Sequence, residues 1–246
     1  MARKMLKGRY ELAIFILLAI ASLVCVTLVA ARNVYTDNAN YRFLIWNLFL
    51  AWIPFGAAAA AHAFAGAGRR ALYVAILACA LVWLLFFPNA PYILTDFLHI
   101  STITDSAPKW FDVLMIMWFA WTGLLLGVVS LNLMQQLVAR VLGRIVAWAF
   151  VVVVAVFGSV GIYIGRFLGW NSWDLFRKPA YLTAQFFDRF GDPAGLQLIG
   201  FCLLFAVLFL FVYVTLYLFG MLSAESGGRE RFGNERGGPS KTDAAL

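Results

Sequence analysis

The sequence predicts an all-α, polytopic membrane protein: a six-helix transmembrane bundle with two longer extracytoplasmic loops that carry short interfacial helices. Of its 246 residues, 63% are apolar and 13% are charged, against about half and about a quarter in soluble domains. The apolar residues form blocks of about 20, the length of a helix that crosses a bilayer. No block shows the period-two alternation of a β-barrel strand. These features exclude a soluble domain and a disulfide scaffold.

Each apolar block must be a helix, because lipid cannot hydrogen-bond an exposed backbone. Pro54 interrupts the second block, and Pro88 and Pro91 end the third. We predict a transmembrane domain over residues 12–222, preceded by an N-terminal segment of residues 1–11. A tail of residues 223–246, rich in Gly, Ser, Glu and Arg, is predicted to be disordered. The predicted spans are residues 12–31, 43–65, 71–87, 111–133, 145–165 and 196–222.

The distribution of Lys and Arg predicts the orientation of the spans. The two termini and the short turns on their side carry twelve of these residues, whereas the opposite loops carry seven. The whole net charge of +7 then lies on the side of the termini, where it faces anionic lipid and not nucleic acid. We therefore predict a multi-pass protein of the cell (cytoplasmic) membrane with both termini in the cytoplasm.

A first group of polar residues follows the third span. Pro88 and Pro91 end this span, and the residues after Pro91 are predicted to form a short amphipathic helix at the lipid–water boundary. Tyr92, Asp96 and His99 lie within one arc of that helix. Asp96 and His99, three residues apart, could form an acid/base or ligand pair. The alternative is an interfacial helix whose polar face meets water.

A second group lies at the end of the fifth span. Tyr163, Arg166, Trp170 and Asp174 have a 3-4-4 spacing, so a continuing helix would place them on one face. The planar guanidinium of arginine suits a carboxylate or a phosphate. The alternative is an aromatic belt with an arginine reaching towards the headgroups, which explains the adjacent Asn171 less well.

Asn47, near the outer end of the second span, is either a tie between helices or a site residue, since an amide inside a span needs a partner. Polar groups from spans two, three and five should meet in one pocket at the outer face. The predicted catalytic pair is Asp96 and His99. The predicted ligand-binding residues are Asn47, Asn89, Tyr92, Arg166, Trp170, Asn171, Trp173 and Asp174. We predict no cofactor and no metal, because one histidine and two unlinked carboxylates form a weak metal pattern.

Three strings carry a resemblance to a known family: WNL at residues 46–48, PNAPY at 88–92 with Thr95, Asp96 and His99, and GRF at 165–167 followed by WNSWD at 170–174. On these strings, over about residues 41–222, the chain resembles the bacterial integral-membrane family known as domain of unknown function 1361. The resemblance implies a location in the bacterial inner membrane and no established activity.

Three functions stay open at this point. The first is binding of a lipid headgroup or lipid-linked substrate, with or without hydrolase or transferase chemistry; Arg166 would hold the anionic group, and Asp96 and His99 would act as base and acid. The second is a small-solute or ion carrier, which needs polar groups near mid-bilayer, where these spans are mostly apolar. The third is a non-catalytic subunit that assembles with a membrane protein partner or a second copy of itself.

Overall fold

The computed structural model describes residues 2–66, 72–101, 107–170 and 193–236. These residues form helices and their connections, with no strand among them. Six stretches of the described chain are long enough and apolar enough to cross a membrane, which confirms the predicted fold class. The helices are α1 (Ala2–Thr36), α2 (Arg42–Gly66), α3 (Leu72–Phe86), α4 (Asn89–Tyr92), a 3₁₀ helix (Ile93–Ser101), α5 (Lys109–Leu142), α6 (Arg144–Phe167) and α7 (Pro193–Arg236).

The two ends of the bundle differ in their polar content. One end holds the end of α1, the beginning of α2, the beginning of α5 and the end of α6. Ion pairs between Arg32 and Asp112 and between Arg166 and Asp96 lie there. We call this the polar end. The opposite end holds the beginning of α1 and the end of α7, and we call it the terminal end.

Helix α5 is the centre of the bundle. It packs against α1, α2, α4, the 3₁₀ helix and α6, and a larger share of it is buried than of any other described span. An apolar core near the polar end joins α5 to α1, α2 and the 3₁₀ helix through residues such as Leu44, Met115 and Phe119. A second core joins α5 to α2, α3, α6 and α7 through residues such as Trp83 and Leu131. The outward faces carry many exposed Leu, Ile, Val and Phe side chains, as expected where a helix meets lipid.

Helix α3 ends at Phe86, just before the break at Pro88, but the apolar stretch continues past this break. After α3 the chain continues through α4 and the 3₁₀ helix, so the candidate span is Val74–Ile100. Ala90 and Ile93 are 0% exposed. Gly123 of α5 allows this close approach, because a Cβ there would lie 2.6 Å from the carbonyl oxygen of Ala90. The beginning of the segment after Pro88 is therefore packed against α5 inside the bundle.

The first and last spans also extend beyond their predicted limits. Helix α1 covers Ala2–Thr36 and includes the predicted N-terminal segment. Helix α7 continues beyond the predicted span to Arg236. Residues 237–246 lie outside the described chain, and the disorder of the tail stays a prediction. Extending an existing helix adds one hydrogen bond for each residue that is fixed, which costs less than starting a new helix. The composition of the tail alone does not show that the tail continues an existing helix.

Candidate functional site

Arg166, in the last turn of α6, is the centre of the polar end. Its Nε donates a hydrogen bond to the hydroxyl oxygen of Thr95 at 2.7 Å. Its Nη1 donates to Nε2 of His99 at 2.7 Å, since arginine has no acceptor. Its Nη2 donates to Oδ1 of Asp96 in an ion pair. One guanidinium group therefore holds three side chains of the 3₁₀ helix.

The second span and a tyrosine ring complete this arrangement. Asn47 of α2 donates from Nδ2 to the other carboxylate oxygen of Asp96 at 3.0 Å. The Tyr92 ring lies beneath the guanidinium carbon of Arg166, 4.4 Å from ring centroid to carbon, in cation–π geometry. We call this group the Arg166 cluster. It consists of Asn47, Tyr92, Thr95, Asp96, His99 and Arg166.

The 3₁₀ geometry explains why so many side chains reach one guanidinium group. Residues i and i+3 are eclipsed in a 3₁₀ helix. Asp96 and His99 therefore lie in one row along the helix, and Tyr92 and Thr95 lie in a second row. Both rows contact Arg166. The sequence pattern placed Tyr92, Asp96 and His99 on an α-helical arc, which left Thr95 out of the predicted site. The sequence would have indicated Thr95 as a site residue only if the segment had been known to form a 3₁₀ helix.

Burial divides the cluster into an inner and an outer part. Asp96 is 0% exposed, and both of its oxygens accept hydrogen bonds, one from Arg166 and one from Asn47. The side chain of Arg166 keeps 9% exposure. Tyr92 and His99 are half-buried, and the His99 ring packs against Phe43 with centroids 4.8 Å apart. A molecule arriving at the polar end would therefore meet His99, Tyr92 and Arg166 before Asp96.

Two further predicted site residues, Asn89 and Trp170, are described outside the Arg166 cluster. Asn89 donates from Nδ2 to the carbonyl oxygen of Phe86 at 3.1 Å, so it bonds a backbone group at the break between α3 and α4. Helix α6 ends at Phe167, and Gly169 follows with φ +71°, a conformation that ends helices. The condition of a helix that continues through Trp170 is therefore not met. Trp170 follows the turn and is half-buried. Asn171, Trp173 and Asp174 lie outside the described residues.

A second buried ion pair was missed by the sequence analysis. Arg32 of α1 binds Asp112 of α5 through two bonds, Nε to Oδ1 at 2.6 Å and Nη2 to Oδ2 at 3.1 Å. The hydroxyl of Tyr41 donates to the same carboxylate at 3.3 Å, and the Tyr41 ring lies 4.3 Å from the guanidinium carbon of Arg32. Arg32 is 1% exposed and Asp112 is 5% exposed. In the sequence, Arg32 directly follows the first predicted span, and Asp112 is the second residue of the fourth predicted span.

A family model matches residues 46–216, more than half of the chain. The match includes every member of the Arg166 cluster, from Asn47 to Arg166, whereas Arg32 precedes it. No curated protein and no solved structure matches the chain significantly. The family is described as "Protein of unknown function (DUF1361)". With six apolar spans and this match, the resemblance found in the sequence is confirmed: the chain belongs to the DUF1361 family of proteins of unknown function.

Proposed function

We propose that the Arg166 cluster binds the anionic headgroup of a lipid or of a lipid-linked substrate. The observation that carries this proposal is the number of Arg166 N–H groups that have an acceptor in the protein. Among the described residues, three of its five N–H groups have protein acceptors, one on each nitrogen. Nη1 and Nη2 each keep one further N–H. Each of these donors can bond an oxygen of a phosphate or a carboxylate.

The position of the cluster along the spans supports a ligand from the membrane. Arg166 is the second-last residue of the span Arg144–Phe167, and His99 is the second-last residue of the span Val74–Ile100. Both positions correspond to the level of lipid headgroups, because a span of this length covers the hydrocarbon core. The excess of Lys and Arg near the terminal end favours cytoplasmic termini. The cluster would then face the outer leaflet of the cytoplasmic membrane.

The geometry favours binding over chemistry for the inner residues. Asp96 was predicted as a catalytic base, but a buried carboxylate with both oxygens bonded is better suited to holding Arg166 in place. Asp96 and Asn47 would therefore be positioning residues. His99 and Tyr92 are the members that can touch a ligand. His99 accepts a hydrogen bond from Arg166 through Nε2, and its ring is half-buried, so part of it stays within reach of a ligand.

The carrier and the assembly subunit have less support. A carrier needs a polar route beyond Pro54, but the half of the bundle beyond Pro54 holds a packed apolar core in which Ala58, Ala61 and Trp83 are 0–1% exposed. An assembly subunit would need a protein partner on one outward face. Purification of the protein with one stoichiometric partner and without lipid would favour the subunit.

The test compares lipids that differ only in their headgroup. The thermal transition of the purified full chain is measured in detergent with phosphatidylglycerol or with diacylglycerol of the same chains. We expect phosphatidylglycerol to raise the transition temperature more, since a ligand that binds only the folded state stabilises it. Arg166→Ala should remove this difference. Arg42→Ala, which changes an exposed arginine at the same end, should keep it. Equal effects of the two lipids on the wild type, or an unchanged difference in Arg166→Ala, would refute the proposal.

A further inference from the structure

A cavity separate from the Arg166 cluster lies at the polar end, between the end of α1 and the beginning of α5. Its volume is about 330 Å³, within the range of about 300–1,000 Å³ that is usual for small-ligand pockets. Most of its lining is apolar or aromatic, including Ala31, Tyr35, Ala107, Trp110 and Phe111. Such a lining binds molecules mainly by removing apolar surface from water.

The charge of the one ionic lining residue is already compensated. Arg32 lines the cavity, but its side chain is 0% exposed and binds the Asp112 carboxylate through two hydrogen bonds. Its guanidinium also lies over the Tyr41 ring. An anion entering the cavity would have to lose its hydration and compete with Asp112 for Arg32, which is unfavourable. The cavity therefore suits an uncharged, apolar group.

The surroundings of the cavity indicate where such a group would come from. Tyr35 and Trp110 at its edge are 69% and 66% exposed, and aromatic residues of this kind mark the interface between membrane and water. Below them the outward face of α1 exposes apolar side chains, among them Leu23 and Leu17 at 66% and 64%. In a membrane this face is covered by lipid chains, which reach the cavity without crossing water.

We propose that this cavity binds the acyl chain of a membrane lipid. The cavity has the volume of a ligand pocket, its one charged lining residue is paired with Asp112, and two of its aromatic lining residues, Tyr35 and Trp110, are exposed. A chain in a concave cavity contacts protein on several sides, whereas a chain on a flat helix face contacts it on one, so the bound chain gains more dispersion contacts. This site is independent of the Arg166 cluster and differs from it in chemistry.

Photolabelling tests this inference. The full chain is reconstituted in nanodiscs with phosphatidylcholine that carries a diazirine on one acyl chain near the glycerol, and the labelled peptides are identified by mass spectrometry. We expect label to be concentrated on residues 29–36 and 107–113. Ala31→Trp, which fills the cavity, should lose this label. Leu17→Trp, on the outward face of the same helix, should keep it. Ala107→Trp is a second filling variant if Ala31→Trp does not fold.

Four results would overturn the inference. Label spread evenly over all outward faces would show ordinary lipid contact without a site. Label retained in a folded filling variant would place the probe elsewhere. Absence of label from both peptides would show that the cavity is covered by protein, either a second copy or another part of this chain. A phosphatidylglycerol probe should label as strongly as phosphatidylcholine, and a strong preference for phosphatidylglycerol would contradict an uncharged site.

Discussion

The carboxylate of Asp96 lies between two donors, Arg166 on one oxygen and Asn47 on the other. Asp96→Asn keeps the shape of the side chain and replaces one oxygen by an NH₂ group. In one amide orientation this NH₂ group faces Arg166; in the other it faces Asn47, whose own amide can rotate to present its oxygen. The main loss is therefore the charge that compensates Arg166. The substitution should therefore destabilise the protein almost as much as Asp96→Ala, although it is chemically conservative.

The expected magnitude follows from the burial of the pair. Asp96 is 0% exposed and the Arg166 side chain is 9% exposed, so water can do little to solvate the charge left behind. Removing one partner of a buried ion pair costs about 3–5 kcal/mol. Exchanging the two residues in Asp96→Asn/Asn47→Asp places the NH₂ group against a carboxylate and leaves an amide oxygen for Arg166. We expect the exchange to recover about 1–3 kcal/mol, the value of a hydrogen bond to a charged group.

The assay is reversible unfolding of the full chain in mixed micelles, followed for the wild type, both single variants and the double variant. Asp37→Asn, at an exposed aspartate of the same end, is the control and should stay within about 0.5 kcal/mol of the wild type. A loss below about 1 kcal/mol in Asp96→Asn would refute the reasoning, because it falls well short of the cost of a broken buried pair. The loss in free energy of unfolding of the double variant is compared with the sum of the losses of the two single variants. A double-variant loss equal to or larger than this sum would refute the proposed bond between positions 47 and 96.

Two further predictions use the same unfolding assay. Gly123→Ala should lower the free energy of unfolding by about 1–3 kcal/mol, because the new methyl group meets the backbone oxygen of Ala90. Gly56→Ala is the control: no atom lies within 4 Å of the added methyl group, so this variant should be neutral or more stable by up to about 1 kcal/mol. Equal effects of the two substitutions would argue against the close packing of α4 on α5. Asp112→Asn should lower the free energy of unfolding by about 3–5 kcal/mol, and the double variant Arg32→Met/Asp112→Leu should recover most of this loss. A double variant that stays as unstable as Asp112→Asn would show that the ion pair itself is required.

The spans could be predicted from the sequence because the physics of the bilayer is local. A helix that crosses lipid needs about 20 apolar residues, and this length can be read from composition alone. Arg166 also stood out, because a charge directly after an apolar block needs a partner or water. The spacing of Asp96 and His99 placed them on one helix face whether the helix is α or 3₁₀.

What could not be predicted depends on contacts between distant segments. The insertion of α4 into the bundle depends on the missing side chain of Gly123, which lies more than thirty residues further along the chain. The pairing of Arg32 with Asp112 joins α1 to α5, and each residue alone resembles an ordinary charge at the end of a span. Loop charges and buried charges have the same sequence signature until the packing of the helices is known.

Packing also joins the two ion pairs. The Tyr41 ring contacts the Phe43 ring with centroids 6.0 Å apart, and Phe43 in turn contacts His99. Tyr41 belongs to the Arg32 pair and His99 to the Arg166 cluster. The first turn of α2 thus lies between the two polar groups, and substitutions of Phe43 should be avoided in experiments that compare them.

The central claim is that Arg166 binds an anionic headgroup, and a cryo-electron microscopy map of the full chain in phosphatidylglycerol nanodiscs tests it most directly. We predict density for a phosphate whose oxygens lie about 2.7–2.9 Å from Nη1 and Nη2 of Arg166, with His99 and Tyr92 beside it. The same density should be missing from the map of Arg166→Ala while the bundle is retained. A wild-type map in which a side chain of the protein occupies both remaining N–H groups of Arg166 would contradict the account.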